Sequence, residues 1–258
     1  MTRALSYRRI LHRMGYYNYQ RGLIYHHLDE EGSWNEHLRN CREFILRCVR
    51  LCEPPVVTVL GSGWLLDVPL RELHDEVDII NLVDIVHPPE VREQVKDLKK
   101  VILREDDISG GLIEQVWRKA GKRTFINKLR SIEGIEINEY SPQFSPGLVI
   151  SLNIITQLES LPVALLEKKS RADENTLRNF RKIIQEKHMK FLKRHKSVLI
   201  TDSSEVINDS SGLVQETSSL LVDLPLSEIS EEWTWKFDYR KSDYYTKKSF
   251  FKVKALLI

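Results

Sequence analysis

The stretch Val56-Val57-Thr58-Val59-Leu60-Gly61-Ser62-Gly63 decides the fold of this chain. Its first five residues form a continuous, largely β-branched run, which predicts a strand buried on both faces. Gly61 and Gly63 follow directly. Because they lack Cβ atoms, they allow a tight turn in which the backbone approaches a ligand and its amides point at it.

The segments around this strand repeat an alternating pattern. Strand-like runs follow at residues 79–83, 101–103, 148–153 and 197–202, and helical patterns lie between them at residues 66–73, from Pro88, at 109–120 and at 163–194. This alternation predicts an open parallel sheet covered on both faces. Residues 233–237 and 250–257 are too close for a crossover helix, so they predict an antiparallel pair. The Ser-rich segment 203–219 predicts an exposed loop.

Composition bounds the protein class. The 258 residues are 41% hydrophobic and 29% charged, with eleven Gly and nine Pro. These values exclude a disordered chain, a collagen-like repeat and a disulfide scaffold. No apolar run approaches the roughly 18 residues of a membrane span, and the first residues lack a signal-peptide pattern. We therefore expect no membrane association and a cytoplasmic protein.

The charge balance and the cysteines indicate no special partner. The net charge of +2 is too small to imply a polyanionic ligand. Residues 1–28 combine five Arg with five Tyr, as RNA-binding surfaces do, but tyrosines on a covering helix more often pack against their own domain. Cys41, Cys48 and Cys52 share one face of a helix predicted at residues 34–52. They are interpreted as buried reduced thiols, and no metal site is predicted.

Polar residues end the neighbouring predicted strands. Asp84 lies twenty-three residues after Gly61, a spacing at which a carboxylate accepts hydrogen bonds from both ribose hydroxyls. Asp107 and Ile108 follow the third strand and are candidates for holding an adenine ring, and Asn153 ends the fourth. Ligands of open α/β sheets bind at this edge. A nucleoside site is therefore predicted, with tight turns that bind no ligand as the alternative.

At these residues the chain resembles the class I S-adenosylmethionine-dependent methyltransferases. Their first three motifs resemble, in order, residues 57–63, 83–85 and 107–108 of this chain. Their fourth strand resembles residues 148–152, and their closing antiparallel hairpin resembles the one predicted here. The resemblance covers residues 54–258 and implies a doubly wound, mostly parallel seven-stranded sheet with a C-terminal antiparallel hairpin. Residues 1–53 would form an N-terminal helical cap. The implied cofactor is S-adenosylmethionine, and its implied contacts are Gly61, Ser62, Gly63, Asp84, Ile85, Asp107, Ile108 and Asn153.

The chain departs from that family at two positions. It has Val59 where the family commonly has an acid, and Leu65 where it often has a third glycine. An alternative is therefore a methyltransferase-fold module that no longer catalyses and binds a partner such as RNA. A nicotinamide-dependent oxidoreductase is a third reading, disfavoured by the terminal hairpin and by Leu66, where the dinucleotide fingerprint has Gly or Ala.

Catalytic and acceptor residues are less constrained. Methyl transfer requires in-line placement, exclusion of water and in some enzymes one base. The candidates for a base or a substrate orienter are Asn153, Asp202 and Glu205, although such residues are also typical of caps and turns. Those for the acceptor pocket are Tyr16, Tyr19, Tyr25 and Trp34. The sequence does not identify the methyl acceptor, which is a small molecule or a macromolecule, and it does not identify the oligomeric state. A nucleic acid is not the favoured partner.

Overall fold

A computed structural model describes residues 3–124, 126–208, 214–240 and 247–258. Its helices are α1 (Arg3–Met14), α2 (Tyr16–Asp29), α3 (Asn35–Cys52), α4 (Leu70–Glu76), α5 (Pro89–Val95), α6 (Leu112–Ala120), α7 (Ser160–Lys169) and α8 (Glu174–Leu192). Its strands are β1 (Val56–Leu60), β2 (Ile79–Asp84), β3 (Val101–Glu105), β4 (Leu148–Leu152), β5 (Ser197–Asn208), β6 (Val214–Ser218), β7 (Ser230–Asp238) and β8 (Lys248–Leu257).

All eight strands belong to one sheet. Seven follow the order β3-β2-β1-β4-β5-β8-β7, and β6 pairs with β5 beside this path. The first five are parallel, whereas β8 is antiparallel to β5 and β7 is antiparallel to β8. The predicted mostly parallel sheet with a C-terminal antiparallel hairpin is therefore confirmed. The eighth strand, β6, was not predicted.

Two local predictions were wrong. The described residues of the Ser-rich segment are mostly strand: β5 continues to Asn208, and β6 pairs with the second half of β5, beyond the residues that pair with β4. Residues 209–213 lie outside the described part. The long helix predicted at residues 163–194 is divided into α7 and α8. Ser170 is extended, and the Asp173 carboxylate accepts a hydrogen bond from Thr176 N at 2.8 Å, which starts a new helix with an N-cap.

The sheet is covered by helices on both faces. Buried side chains of α3, α4 and α5 pack against one face, where Val57, Val59 and Ile80 point. Those of α6, α7 and α8 pack against the other, with Leu60, Val83 and others. This arrangement buries β1, β2 and β4 on both sides, as their continuous apolar runs predict.

The helices that precede β1 occupy two positions. α3 packs on the sheet, and its Cys41 and Cys48 are buried free thiols within that core. Ile10 and Leu11 of α1 instead form a small cluster with Val86 and Ile113, beyond the carboxyl end of β2. α1 and α2 therefore lie over the sheet edge at which a ligand is predicted. In the described part of the chain, no helix combines the length and apolar character needed to cross a membrane.

Candidate functional site

The turn after β1 requires its glycines. Gly61 has φ +81°, and a Cβ there would lie 2.8 Å from the Leu152 carbonyl oxygen and 2.9 Å from the Cβ of Ile154. Gly63 has φ +47°, but a Cβ there would meet nothing closer than 3.9 Å. Gly61 therefore brings the ends of β1 and β4 together, whereas Gly63 leaves open space beside the turn.

Asp84 is fixed at the end of β2 by this turn. Its Oδ2 accepts a hydrogen bond from Gly63 N at 2.8 Å, and its Oδ1 accepts one from Ile85 N at 2.7 Å. Burial raises the pKa of Asp84, and these amides and His87 partly oppose that shift. Each carboxylate oxygen retains a lone pair. The side chain is thus oriented and can still accept hydrogen bonds from hydroxyl groups.

A first cavity opens where these elements meet. It provides about 150 Å³ of space that a water molecule could enter. The structure brings most of the predicted site residues to its wall, namely Tyr16, Tyr19, Trp34, Gly61, Ser62, Gly63, Asp84, Ile85 and Asn153.

Two of these residues carry buried polar atoms without partners. Ser62 Oγ and Asn153 Oδ1 make no hydrogen bond within the described residues. Buried polar atoms are costly when unpaired. Their presence in a cavity wall beside Asp84 is what a site for a polar ligand would show.

Leu65 has a strained backbone conformation. Leu65 has φ +60°, in the left-handed region that glycine adopts without cost. Its N–H donates to Ser62 O at 2.9 Å, which closes the turn. The chain therefore keeps the backbone conformation that a glycine would favour while carrying a buried leucine.

A polar group that the sequence analysis missed lines the same cavity. Asn153 Nδ2 donates to Asp67 Oδ2 at 2.9 Å. Burial raises the pKa of Asp67 to about 6 and lowers that of His37 to about 3. Asp67 lies four residues after Gly63 in an otherwise apolar loop, and that lone acid is the signal that could have identified it.

Both ring nitrogens of His37 have polar neighbours. The indole N–H of Trp233, on β7, donates to His37 Nδ1 at 3.0 Å, and Asn153 Nδ2 lies 3.3 Å from His37 Nε2. Asp67, His37 and Cys41 have ligand atoms within 4.8 Å of one another.

The first cavity is roofed by α2. Gln20 Nε2 donates to Val86 O at 2.7 Å, and the indole N–H of Trp64 donates to Gln20 O at 2.8 Å. The Tyr19 hydroxyl donates to Gln157 Oε1 at 3.4 Å. Three polar contacts thus attach this helix to the loops that follow β1, β2 and β4.

Three predicted site residues lie elsewhere. Asp107 accepts a hydrogen bond from the Tyr7 hydroxyl at 3.3 Å and one from Ser109 N at 3.0 Å, and Ile108 is buried in the core. Neither lines the first cavity, because α1 packs over the end of the edge strand β3. Tyr25 is 64% exposed and also lies away from it.

The remaining candidates line a second cavity beside the first. Asp202 and Glu205, in the middle of β5, border about 740 Å³ of open space together with Glu159. Burial raises the pKa of Asp202 and that of Glu159 to about 7. Glu159 precedes α7 and was missed, since its burial arises only when α8 packs against it.

Comparisons with known proteins give only distant similarity. No protein-family model and no curated protein match the chain. Among solved structures it is similar to the 1,6-didemethyltoxoflavin-N1-methyltransferase of Burkholderia thailandensis with bound 1,6-didemethyltoxoflavin and S-adenosylhomocysteine. The identity is 11%, covering 100% of this chain and 92% of that one, with a TM-score of 0.41.

Two further structures are similar at the same level. The DhpI–SAH complex has 10% identity, covers 93% of this chain and 94% of that one, and has a TM-score of 0.37. Precorrin-6y C5,15-methyltransferase from Geobacter metallireducens has 12% identity, coverages of 84% and 87%, and a TM-score of 0.29. Similarity this distant is not evidence of function.

Proposed function

We propose that this chain is an S-adenosylmethionine-dependent methyltransferase that binds its cofactor in the first cavity. The observation that carries the proposal is the convergence of the Gly61–Gly63 turn and Asp84 on one hollow at the carboxyl edge of the sheet. The order β3-β2-β1-β4-β5 matches nucleotide-binding α/β sheets, whose ligands bind at this edge. The antiparallel β8 and β7 distinguish the sheet from the all-parallel dinucleotide type.

The residues of the first cavity fit part of such a cofactor. Asp84 would accept hydrogen bonds from the ribose hydroxyls, and Gly63 leaves room for close approach. Ser62 Oγ and Asn153 Oδ1 are buried without partners and would hold the amino-acid portion. When bound, the sulfonium supplies an electrophilic methyl group. The chain's own contribution is to orient the two reactants and exclude water.

The adenine end requires movement of the covering helices. Ligand pockets usually enclose roughly 300–1,000 Å³, more than the about 150 Å³ available here. The Tyr7 hydroxyl donates to Asp107, the residue that the sequence predicts beside adenine. We therefore propose that α1 and α2 shift outward to admit the cofactor and then close over it.

Asp67 is the carboxyl group in the first cavity best suited to accept a proton from the methyl acceptor. Its pKa of about 6 lies close to ambient pH, where a general base works well. Asp202 and Glu205 lie in the second cavity instead. In this proposal Asn153 orients Asp67 through the 2.9 Å hydrogen bond.

Isothermal titration calorimetry tests the proposal. S-adenosylmethionine and S-adenosylhomocysteine are titrated into the wild-type chain, with NADH as a comparison ligand. We expect both adenosyl ligands to bind and Asp84→Ala to weaken binding at least about tenfold, since hydrogen bonds to a charged group contribute about 1.5–3 kcal/mol. Asp75→Ala, which removes an acid 85% exposed on α4, is the matched control and should bind normally.

Ser62→Ala protects the test against misfolding of Asp84→Ala, because it removes an unpartnered hydroxyl without touching the turn's hydrogen bonds. It should also weaken adenosyl binding. No heat with either adenosyl ligand at millimolar concentration would refute the proposal. Nucleic-acid binding without adenosyl binding would instead select the non-catalytic module, and binding of NADH alone the oxidoreductase.

A further inference from the structure

The second cavity is adjacent to the first. The two share a wall formed by Tyr19, Leu23, Gln157, Ser160 and Trp235. The boundary is crossed by the hydrogen bond from the Tyr19 hydroxyl to Gln157 Oε1 at 3.4 Å. The second cavity, at about 740 Å³, is large enough for a small molecule. A molecule in it would therefore lie directly beside one in the first cavity.

Two buried carboxyl groups border the second cavity. Glu159 is 3% exposed and Asp202 is 7% exposed. Asp202 accepts a hydrogen bond from the Thr156 hydroxyl, and Glu159 Oε1 accepts one from Gln185 Nε2 at 3.4 Å. The other oxygen of Glu159, Oε2, is buried and has no partner within the described residues. One carboxylate oxygen of a residue that borders this cavity is thus buried without a hydrogen bond.

No internal cation pairs with these two acids in the described part of the chain. Arg181 is near enough to lower the pKa of Glu159 slightly, but its guanidinium pairs with Glu167 at 3.2 Å. Buried carboxylates are costly unless they are paired with a positive charge. The charged and titratable groups that border the cavity are Tyr19, Glu159, Glu167, Glu174, Arg178, Arg181, Asp202 and Glu205.

Aromatic side chains form another part of the wall. Trp235, Phe237 and Phe251 border the second cavity from the antiparallel strands. Aromatic faces attract cations and also bury apolar groups. A ligand complementary to this wall carries both a positive charge and an apolar group.

We propose that the second cavity binds an organic cation, an ammonium group attached to an apolar or aromatic body, with its charge against Glu159 and Asp202. Its role as the methyl acceptor rests on the proposed function, because it would face the first cavity across Tyr19. The ammonium nitrogen has no lone pair, so a nucleophilic O–H or N–H group on its body would attack the methyl carbon, S-adenosylhomocysteine would leave as the neutral thioether, and Asp67 would take the proton. Cation binding itself does not depend on that function.

The pKa of Glu159 gives this binding a characteristic pH dependence. At a pKa of about 7, the carboxyl is about one-tenth ionised near pH 6 and about nine-tenths ionised near pH 8. A cation binds the ionised form and displaces the proton. Its affinity should therefore rise about tenfold between these pH values, because an alkylammonium probe stays charged throughout.

Calorimetry with three probes of similar shape tests the proposal: phenethylamine, the neutral phenethyl alcohol, and the anionic 3-phenylpropionate. We expect the amine to bind at least tenfold more tightly than the alcohol, and the anion not to bind. Glu159→Gln should reduce the preference for the amine and flatten the pH dependence, whereas Asp202→Asn should reduce the preference but keep the pH dependence, because Glu159 remains. Glu186→Gln, which removes an exposed acid on α8 paired with Lys182 at 3.9 Å, should bind the amine as the wild type does.

The opposite results are equally clear. Equal affinity for the amine and the alcohol, unchanged amine binding by Glu159→Gln, or no amine binding at millimolar concentration would overturn the proposal. Melting curves of each variant verify that it is folded. Titration of S-adenosylhomocysteine into the same preparations separates the two proposals: amine binding without adenosyl binding retains the cation site and refutes the methyltransferase, and the converse refutes only the cation site.

Discussion

Replacing Glu159 by glutamine is expected to stabilise the protein at alkaline pH. Burial raises the pKa of this carboxyl from 4.5 to about 7 in the folded state. The folded protein therefore binds the proton more tightly than the unfolded chain does. That contribution to the free energy of unfolding is complete below about pH 4.5 and is lost as the pH rises through about 7.

The magnitude follows from the size of the pKa shift. A shift from 4.5 to about 7 corresponds to about 3 kcal/mol, since one pKa unit is about 1.4 kcal/mol. Glutamine keeps the shape and the hydrogen bond to Gln185 but carries no charge. At pH 8 the free energy of unfolding of the variant should therefore exceed that of the wild type by up to about 3 kcal/mol. For a chain of this size, this difference corresponds to a melting temperature higher by about 6–12 °C. At pH 4.5 the two proteins should be alike.

Urea unfolding and thermal melts between pH 4.5 and 8.5 provide the assay. The difference between the wild type and Glu159→Gln isolates this carboxyl from Asp67 and Asp202, whose pKa values burial also raises. Glu186→Gln, at an exposed site, should show no such pH-dependent difference. A variant that is equally or less stable than the wild type at pH 8 would refute the claim that Glu159 is buried without a compensating charge.

Three further perturbations test the site and its surroundings. Gly61→Ala should destabilise the chain by about 1–3 kcal/mol in urea unfolding, because the new Cβ would lie 2.8 Å from a backbone oxygen. The control Gly22→Ala, on α2, places a Cβ with nothing within 4 Å and should stabilise the chain by about 0.5–1 kcal/mol. Equal effects of the two substitutions would contradict the turn geometry. Tyr7→Phe removes the hydroxyl that donates a hydrogen bond to Asp107, and such a bond contributes about 0.5–1.5 kcal/mol. Because this bond holds α1 over the site, S-adenosylhomocysteine should bind the variant up to about tenfold more tightly in calorimetry. Unchanged affinity would argue against α1 as a cover. In thiol labelling of the native protein, Cys52 alone should react rapidly, because the thiols of Cys41 and Cys48 are buried. Cys52→Ser should therefore lose the fast labelling phase. A fast phase that persists in this variant would place another thiol at the surface.

The sheet could be predicted because its signals are local. The apolar runs of β1, β2 and β4 are buried on both faces, so each is visible as a short continuous segment. The positions of Gly61 and Asp84 could be predicted for the same reason, since each directly follows or ends such a run. The closing antiparallel pair followed from the short separation of its strands.

The parts that could not be predicted arise from packing. Asp67 and Glu159 become buried acids only when distant elements cover them, and no spacing in the sequence reports that. Asp107 follows a strand as expected, but α1 lies over the end of β3 and separates Asp107 from the first cavity. The break between α7 and α8 depends on the N-cap at Asp173. The helical periodicity on either side of Asp173 predicts one continuous helix, so the break could not be predicted from it.

The central claim is that Gly61, Gly63 and Asp84 form a nucleoside site. A crystal structure of the chain grown with S-adenosylhomocysteine tests it most directly. The account predicts electron density in the first cavity, with the ribose hydroxyls within hydrogen-bond distance of the Asp84 carboxylate and the α1–α2 segment displaced outward. Crystals that show this cavity still closed at saturating ligand, or the ligand bound away from Asp84, would contradict it.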